Sequence, residues 1–222
     1  MGPFFAVERW DPAAPWRPFA DLALDPVTLA ERVEVAAAVL ERTGPVPRRV
    51  VASVYSLGVV SRLVSPVLAA AALDGTVPVL GLDTVGWQPV AAGPMPIAYR
   101  DGIHRRPASA DAIVEGCLEP TVRPFLTTLG DRYRVSPHVL WGNAASAVGG
   151  AYAMLKHAKA RRTRRRPARP AAAHGLRDVE RTRAQAPQLL PLLPDPGRRH
   201  LRRLRAHPRR LRLEQARPRS RR

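Results

Sequence analysis

The chain has 222 residues, with 36 Lys+Arg against 18 Asp+Glu and a formal charge of +18. The excess is not spread evenly: residues 1–155 carry 13 basic and 14 acidic side chains, and residues 156–222 carry 23 and 4. This excludes a basic nucleic-acid-coating surface for the first piece, and the single cysteine, Cys117, excludes an internal disulfide and any CxxC metal motif.

Residues 1–155 hold every Trp, Tyr and Phe of the chain, ending at Tyr152, and are long enough for one domain with its own core. Residues 156–222 have no aromatic side chain and are dominated by Arg, Pro, Ala and Leu. Such a composition buries too little apolar area to offset ordering entropy, which predicts a basic disordered tail.

Met1–Phe5 has no basic region followed by an apolar run, so no secretory leader is expected, and Ala6 breaks the myristoylation pattern. Asp25-Pro26 is a helix start: the Asp caps and the Pro fits the first turn. Leu29, Val33, Ala36, Ala37 and Leu40 then recur at helical spacing until Gly44. Val50–Leu63 predicts a second helix. Ser65-Pro66 repeats the start device and predicts a third, Val67–Leu73, closed by Asp74-Gly75. The stretch 50–73 is apolar and long enough to span a bilayer, but Ser61, Arg62, Ser65 and Pro66 interrupt it, so a buried helix pair and a soluble cytoplasmic protein are expected.

Val77–Leu82, Gly86–Val90 and Met95–Tyr99 predict short strands, with a turn at Ala92-Gly93. Ser109 opens a helix to about Leu129, with Ile113, Val114, Cys117, Leu118, Phe125 and Leu126 inward and kinks at Pro120 and Pro124. Ser136-Pro137 starts a last helix, His138 to about Leu155. The expected class is mainly α (α+β), a helical domain with a small antiparallel β element in its middle. GxGxxG and GxxxxGK[ST] are both absent, so the common nucleotide-binding loops have no support.

Within the last helix Gly142, Ser146 and Gly150 lie four apart, a small-residue stripe that predicts close packing of another helix. Asn143, beside Trp141, is either an anchor for a loop or ligand, or a buried amide bonded to backbone. Arg62, amid apolar residues, predicts an ion pair with a carboxylate. His104 and His138 lack the spacing of a metal pair, and Cys117 lies on an apolar helix face as a core thiol. No catalytic, cofactor-binding or metal-ligating residue is assigned from spacing.

Two segments carry a resemblance. They are Ser53-Val54-Tyr55-Ser56-Leu57-Gly58, continued by Ser61-Arg62-Leu63-Val64-Ser65-Pro66, and Leu140-Trp141-Gly142-Asn143-Ala144-Ala145-Ser146. Together they resemble the FhuF-like ferric-siderophore reductases of bacteria, over roughly residues 25–155. The resemblance implies a one-electron reduction of an Fe(III)-siderophore through a [2Fe–2S] cluster held by a C-terminal CC-x10-CxxC motif. This chain has no such motif, so no cofactor is expected in it, and reductase activity is expected to be absent.

The tail nevertheless bears on that motif. Read one nucleotide later, the codon families of Gln188 to Leu204 accommodate Ser-Cys-Cys-Leu-Tyr-Tyr-Arg-Ile-Pro-Gly-x-x-Thr-Cys-Gly-Asp-Cys. Leu189, Leu190, Leu201 and Leu204 fall where the four cysteines belong. A CTN leucine codon followed by C reads TNC, which has four meanings, so each leucine alone is weak; seventeen consistent positions are much stronger. Arg164–Ala173 likewise shifts into codons compatible with an Ala/Leu-rich helix. A frameshift between about Leu155 and Arg165 is therefore expected.

Two other classes compete. One is a neutral domain with a genuine basic arm that contacts nucleic-acid or membrane phosphates without reading sequence; the arm has no aromatic for base stacking, and Pro208 breaks its one amphipathic stretch. The other is a ferric-siderophore-binding domain without redox chemistry. A +19 tail binds anions non-specifically in any case, and no specific nucleic acid is expected.

Overall fold

The computed structural model describes residues 2–165. The predicted tail therefore lies outside the described residues from position 166 onward. Six α-helices and six short strands alternate irregularly: β1 (Glu8–Arg9), β2 (Arg17–Pro18), α1 (Phe19–Leu24), α2 (Pro26–Leu40), α3 (Arg48–Asp74), β3 (Thr76–Pro78), β4 (Val85–Trp87), β5 (Ile97–Tyr99), β6 (Arg105–Pro107), α4 (Ala110–Ile113), α5 (Arg123–Tyr133) and α6 (Pro137–Arg165). A π-helical stretch, Val114–Val122, joins α4 to α5. The domain is mainly helical with a small β component.

The start of α2 forms as its residues dictate. The Asp25 carboxylate accepts the N–H groups of Val27 at 3.1 Å and Thr28 at 3.0 Å, and the Thr28 hydroxyl at 2.6 Å. The Thr28 bonds, hydroxyl foremost, hold that carboxyl below its ordinary range. Leu29, Val33 and Ala37 are the buried stripe.

The expected break at Ser65-Pro66 does not occur. Helix α3 runs unbroken with Pro66 inside it. A proline inside a helix forfeits one hydrogen bond, about 3 kcal/mol where nothing compensates. Here every residue from Arg62 to Ala69 is buried, and that packing holds the axis through the missing bond. Helix α3 is long and apolar enough to cross a membrane, yet most of that stretch is buried inside the fold against α2, α5 and α6. It is the central helix of the domain.

The helix expected from Ser109 forms, capped by the Ser109 hydroxyl accepting the Ala112 N–H at 3.0 Å. Its middle widens into the π stretch. Pro120 has no N–H to offer the Gly116 carbonyl one α-turn back, and that carbonyl accepts the backbone N–H of Leu80 at 2.7 Å instead. The Cys117 carbonyl takes the Thr121 hydroxyl at 2.5 Å. Arg134, at φ 54°, ends α5 in the left-handed region. At the start of α6 the Ser136 hydroxyl accepts the His138 N–H at 3.2 Å. The helix then passes the expected end near Leu155 and reaches Arg165, because Lys, Ala and Arg are good helix formers and no proline follows until Pro167.

The expected small antiparallel β element forms, with differences in its strands. The central pair is antiparallel, β4 on β5 with Gly86 opposite Ala98, but β1 joins β5 in parallel and β2 flanks β4, giving the order β1-β5-β4-β2. The segment expected as Val77–Leu82 supplies only β3, which pairs apart from this sheet with β6. Gly86 is required by packing: a Cβ there would lie 2.7 Å from the Trp10 ring.

Candidate functional site

Helices α3 and α6 bring the two unusual sequence segments together. The side-chain N–H2 of Asn143 donates to the Ser53 carbonyl at 2.9 Å, the Ser53 hydroxyl at 3.1 Å and the Ser56 hydroxyl at 3.0 Å. A carbonyl only accepts, so the amide nitrogen must face Ser53. The Ser56 hydroxyl in turn donates to the Ser53 carbonyl at 2.7 Å. Of the two readings of Asn143, the bonded amide is what forms, and its partners come from the other helix rather than from a loop. Trp141 faces elsewhere: it is buried under the Arg123 guanidinium, 5.3 Å from the ring centre, and Arg123 is also paired with Glu119.

About two helical turns further along α3, Arg62 is buried with no carboxylate in ion-pair contact among the described residues. The expected ion pair is replaced by three backbone carbonyls: Met95 at 2.6 Å, Pro3 at 2.8 Å and Ala6 at 2.9 Å. Five N–H donors in a planar fork suit a cage of carbonyls as they suit a carboxylate. Burial holds the Arg62 pKa below its ordinary value. The guanidinium thus ties the N-terminal segment and the approach to β5 onto α3. Gly2 reaches the Met154 side chain of α6, so the two helices are aligned in the same direction, Ser53 beside Asn143 and Arg62 near Met154.

The small-residue stripe corrects its expectation. Gly142, Ser146 and Gly150 are exposed, and a Cβ at either glycine would meet nothing within 4 Å. No helix among the described residues packs there. The stripe escaped correct reading because interior glycines signal close approach without saying whether the approaching element is present.

Cys117 is fully buried, and burial pushes its thiol up to about 12. It touches the Thr121 hydroxyl at 3.9 Å. The Tyr99 hydroxyl is buried nearby with no hydrogen-bond partner, and burial followed by the Cys117 thiol raises its pKa far above the ordinary value. Tyr99 also lines a shallow groove of about 570 Å³ between the outer face of α3 (Pro66, Ala69, Ala70, Leu73) and the Arg9–Asp101 ion pair. Its rim mixes acids and bases, and nothing in the sequence pattern marked it. His104 and His138 are exposed and far apart in the chain. Among the described residues no three His, Cys, Asp or Glu side chains converge as metal ligands.

A [2Fe–2S] cluster of the kind the resemblance implies needs four thiolates. The single cysteine here is sealed in the core as a neutral thiol, so the residues present do not fit that group. No family model, no curated protein and no solved structure matches the chain.

Proposed function

We propose that residues 1–155 are the scaffold of a FhuF-like ferric-siderophore reductase whose gene leaves its reading frame just beyond the last residue the fold uses. In this reading the intact relative passes one electron through [2Fe–2S] to siderophore-bound Fe(III); Fe(II) binds siderophores weakly, so iron is released in the cytoplasm. The encoded chain keeps the scaffold and lacks the redox centre, so it does not reduce ferric siderophores. The observation that carries the reading is the seventeen-position match from Gln188 to Leu204, with four leucine codons at the spacing of the cysteines. The contact of Asn143 with Ser53 and Ser56 supports it, because it joins the two segments on which the resemblance rests. The arginines of the tail are then shifted codons that hold anions non-specifically.

The test is chemical. The purified chain as encoded is expected to show no iron–sulfur absorption and no bound sulfide. Deleting one nucleotide between the codons of Leu155 and Arg165 is expected to yield a brown protein with two irons and two sulfides per chain. A colourless restored protein, or a DNA sequence whose other frame lacks the four cysteines, sinks the reading.

A further inference from the structure

The outer sides of α3 and α6 lack what a solvated helix face carries. No charged residue occurs from Val50 to Ser61, and none from Val139 to Leu155. Helices at the surface of a domain normally present charged and polar side chains to water. Here Val54 and Leu57 are 48% and 36% exposed, and Val139 and Met154 are 47% and 46% exposed. Gly58, Gly142 and Gly150 add bare backbone between them. Both stripes border the Asn143–Ser53 contact, and with the helices aligned in the same direction they open to the same side, as one uncharged two-helix groove.

We infer that this groove is the seat of the segment that follows α6 in the gene's other reading frame, and that no described residue of the encoded chain fills it. The inference rests on the frame reading proposed above. Helix α6 is itself one wall and runs on to Arg165, about 16 Å past Met154, so whatever follows it is tethered beyond that end and meets the groove at high effective concentration. The groove from Met154 to Val139 is about 22 Å long, and the 23 residues between Arg165 and Leu189 suffice for a turn and a partly extended chain that returns past Met154 and along it. The shifted codons of Arg164–Ala173 permit Ala and Leu, which can bury against this surface. The encoded Arg and Pro cannot do so without desolvating unpaired charge. The stripe of Gly142, Ser146 and Gly150 lets the returning backbone approach closely, which is the packing that the stripe implies and the described residues do not supply.

The test compares the encoded full chain with the chain restored by the one-nucleotide deletion, each with and without Gly142→Leu. The probe is anilinonaphthalene sulfonate, whose fluorescence reports accessible apolar surface. The encoded chain is expected to bind the dye, to be monomeric, and to melt at the same temperature or higher with Gly142→Leu. The restored chain is expected to bind several-fold less dye, and Gly142→Leu is expected to lower its melting temperature and return the dye signal. Iron and sulfide content, read on the same samples, reports the frame reading separately. A restored chain that holds its cluster but binds dye as the encoded chain does, with no response to Gly142→Leu, overturns the inference alone. So does an encoded chain that is a dimer dissociated by Gly142→Leu, which assigns the groove to a second copy. Should the restored chain be insoluble, a synthetic peptide of restored residues 156–187 is titrated into the encoded chain. Displacement of dye that Gly142→Leu abolishes supports the inference, and no displacement overturns it.

Discussion

Asn143 has two amide hydrogens and three acceptors within reach, all on α3. Asn143→Ala removes both donors and leaves the Ser53 carbonyl short of one partner. A loss of about 0.5–1.5 kcal/mol is expected in denaturant unfolding, the net worth of a typical hydrogen bond, because the Ser53 carbonyl keeps the Ser56 hydroxyl. Arg62 is the stronger case, because one guanidinium serves three carbonyls from two distant segments. Arg62→Leu is expected to cost about 3 kcal/mol or more and to expose the N-terminal residues to protease. Arg62→Lys should rescue little, since an ammonium cannot span a planar three-carbonyl cage. Cys117 gives a pH signature. Its folded thiol stays neutral to about pH 12 whereas an unfolded cysteine ionises near pH 8.5. Between those values the unfolded state holds fewer protons, so stability falls as pH rises, by about 1.4 kcal/mol per unit at most for one group. Tyr55, also buried and pushed up to about 12, adds to the decline above roughly pH 10. Cys117→Ala is expected to delay the onset of that decline in an alkaline melting series.

At the scale of elements, the capped starts were legible because each depends on adjacent residues: Asp25-Pro26, Ser109 and Ser136-Pro137 all open helices as their chemistry predicts. The ends and interruptions were not. Pro66 carries the same local signal as a helix start, and only the burial of Arg62–Ala69 makes it an interior residue. Pro120 predicts a kink, but the π widening depends on Leu80, thirty-six positions upstream, claiming the freed Gly116 carbonyl. Strands β1 and β2 have two residues each, too short for any alternation to register. The end of α5 offers a direct check: Arg134 holds a left-handed conformation at φ 54° that a side chain disfavours. Arg134→Gly is expected to raise stability by about 1 kcal/mol in chemical unfolding.

For the whole molecule, the charge and aromatic counts divided the chain near Leu155 from composition alone. The candidate site was less legible. The sequence singled out Arg62, Asn143 and the glycine stripe, but their partners lie 33 to 90 positions away or are absent from the described residues. The Asn143–Ser53 contact spans 90 positions, so α3 waits for α6 before its polar notch is filled. Long-range closures of this kind come late in folding and leave apolar surface open to aggregation until they form. The position of a frame error along the gene therefore decides the fate of the product. An error before the codon of Asn143 deprives the ribosome-born chain of its closing helix and yields an aggregate for proteolysis. One after Leu155 releases a domain whose closing contact is already in place.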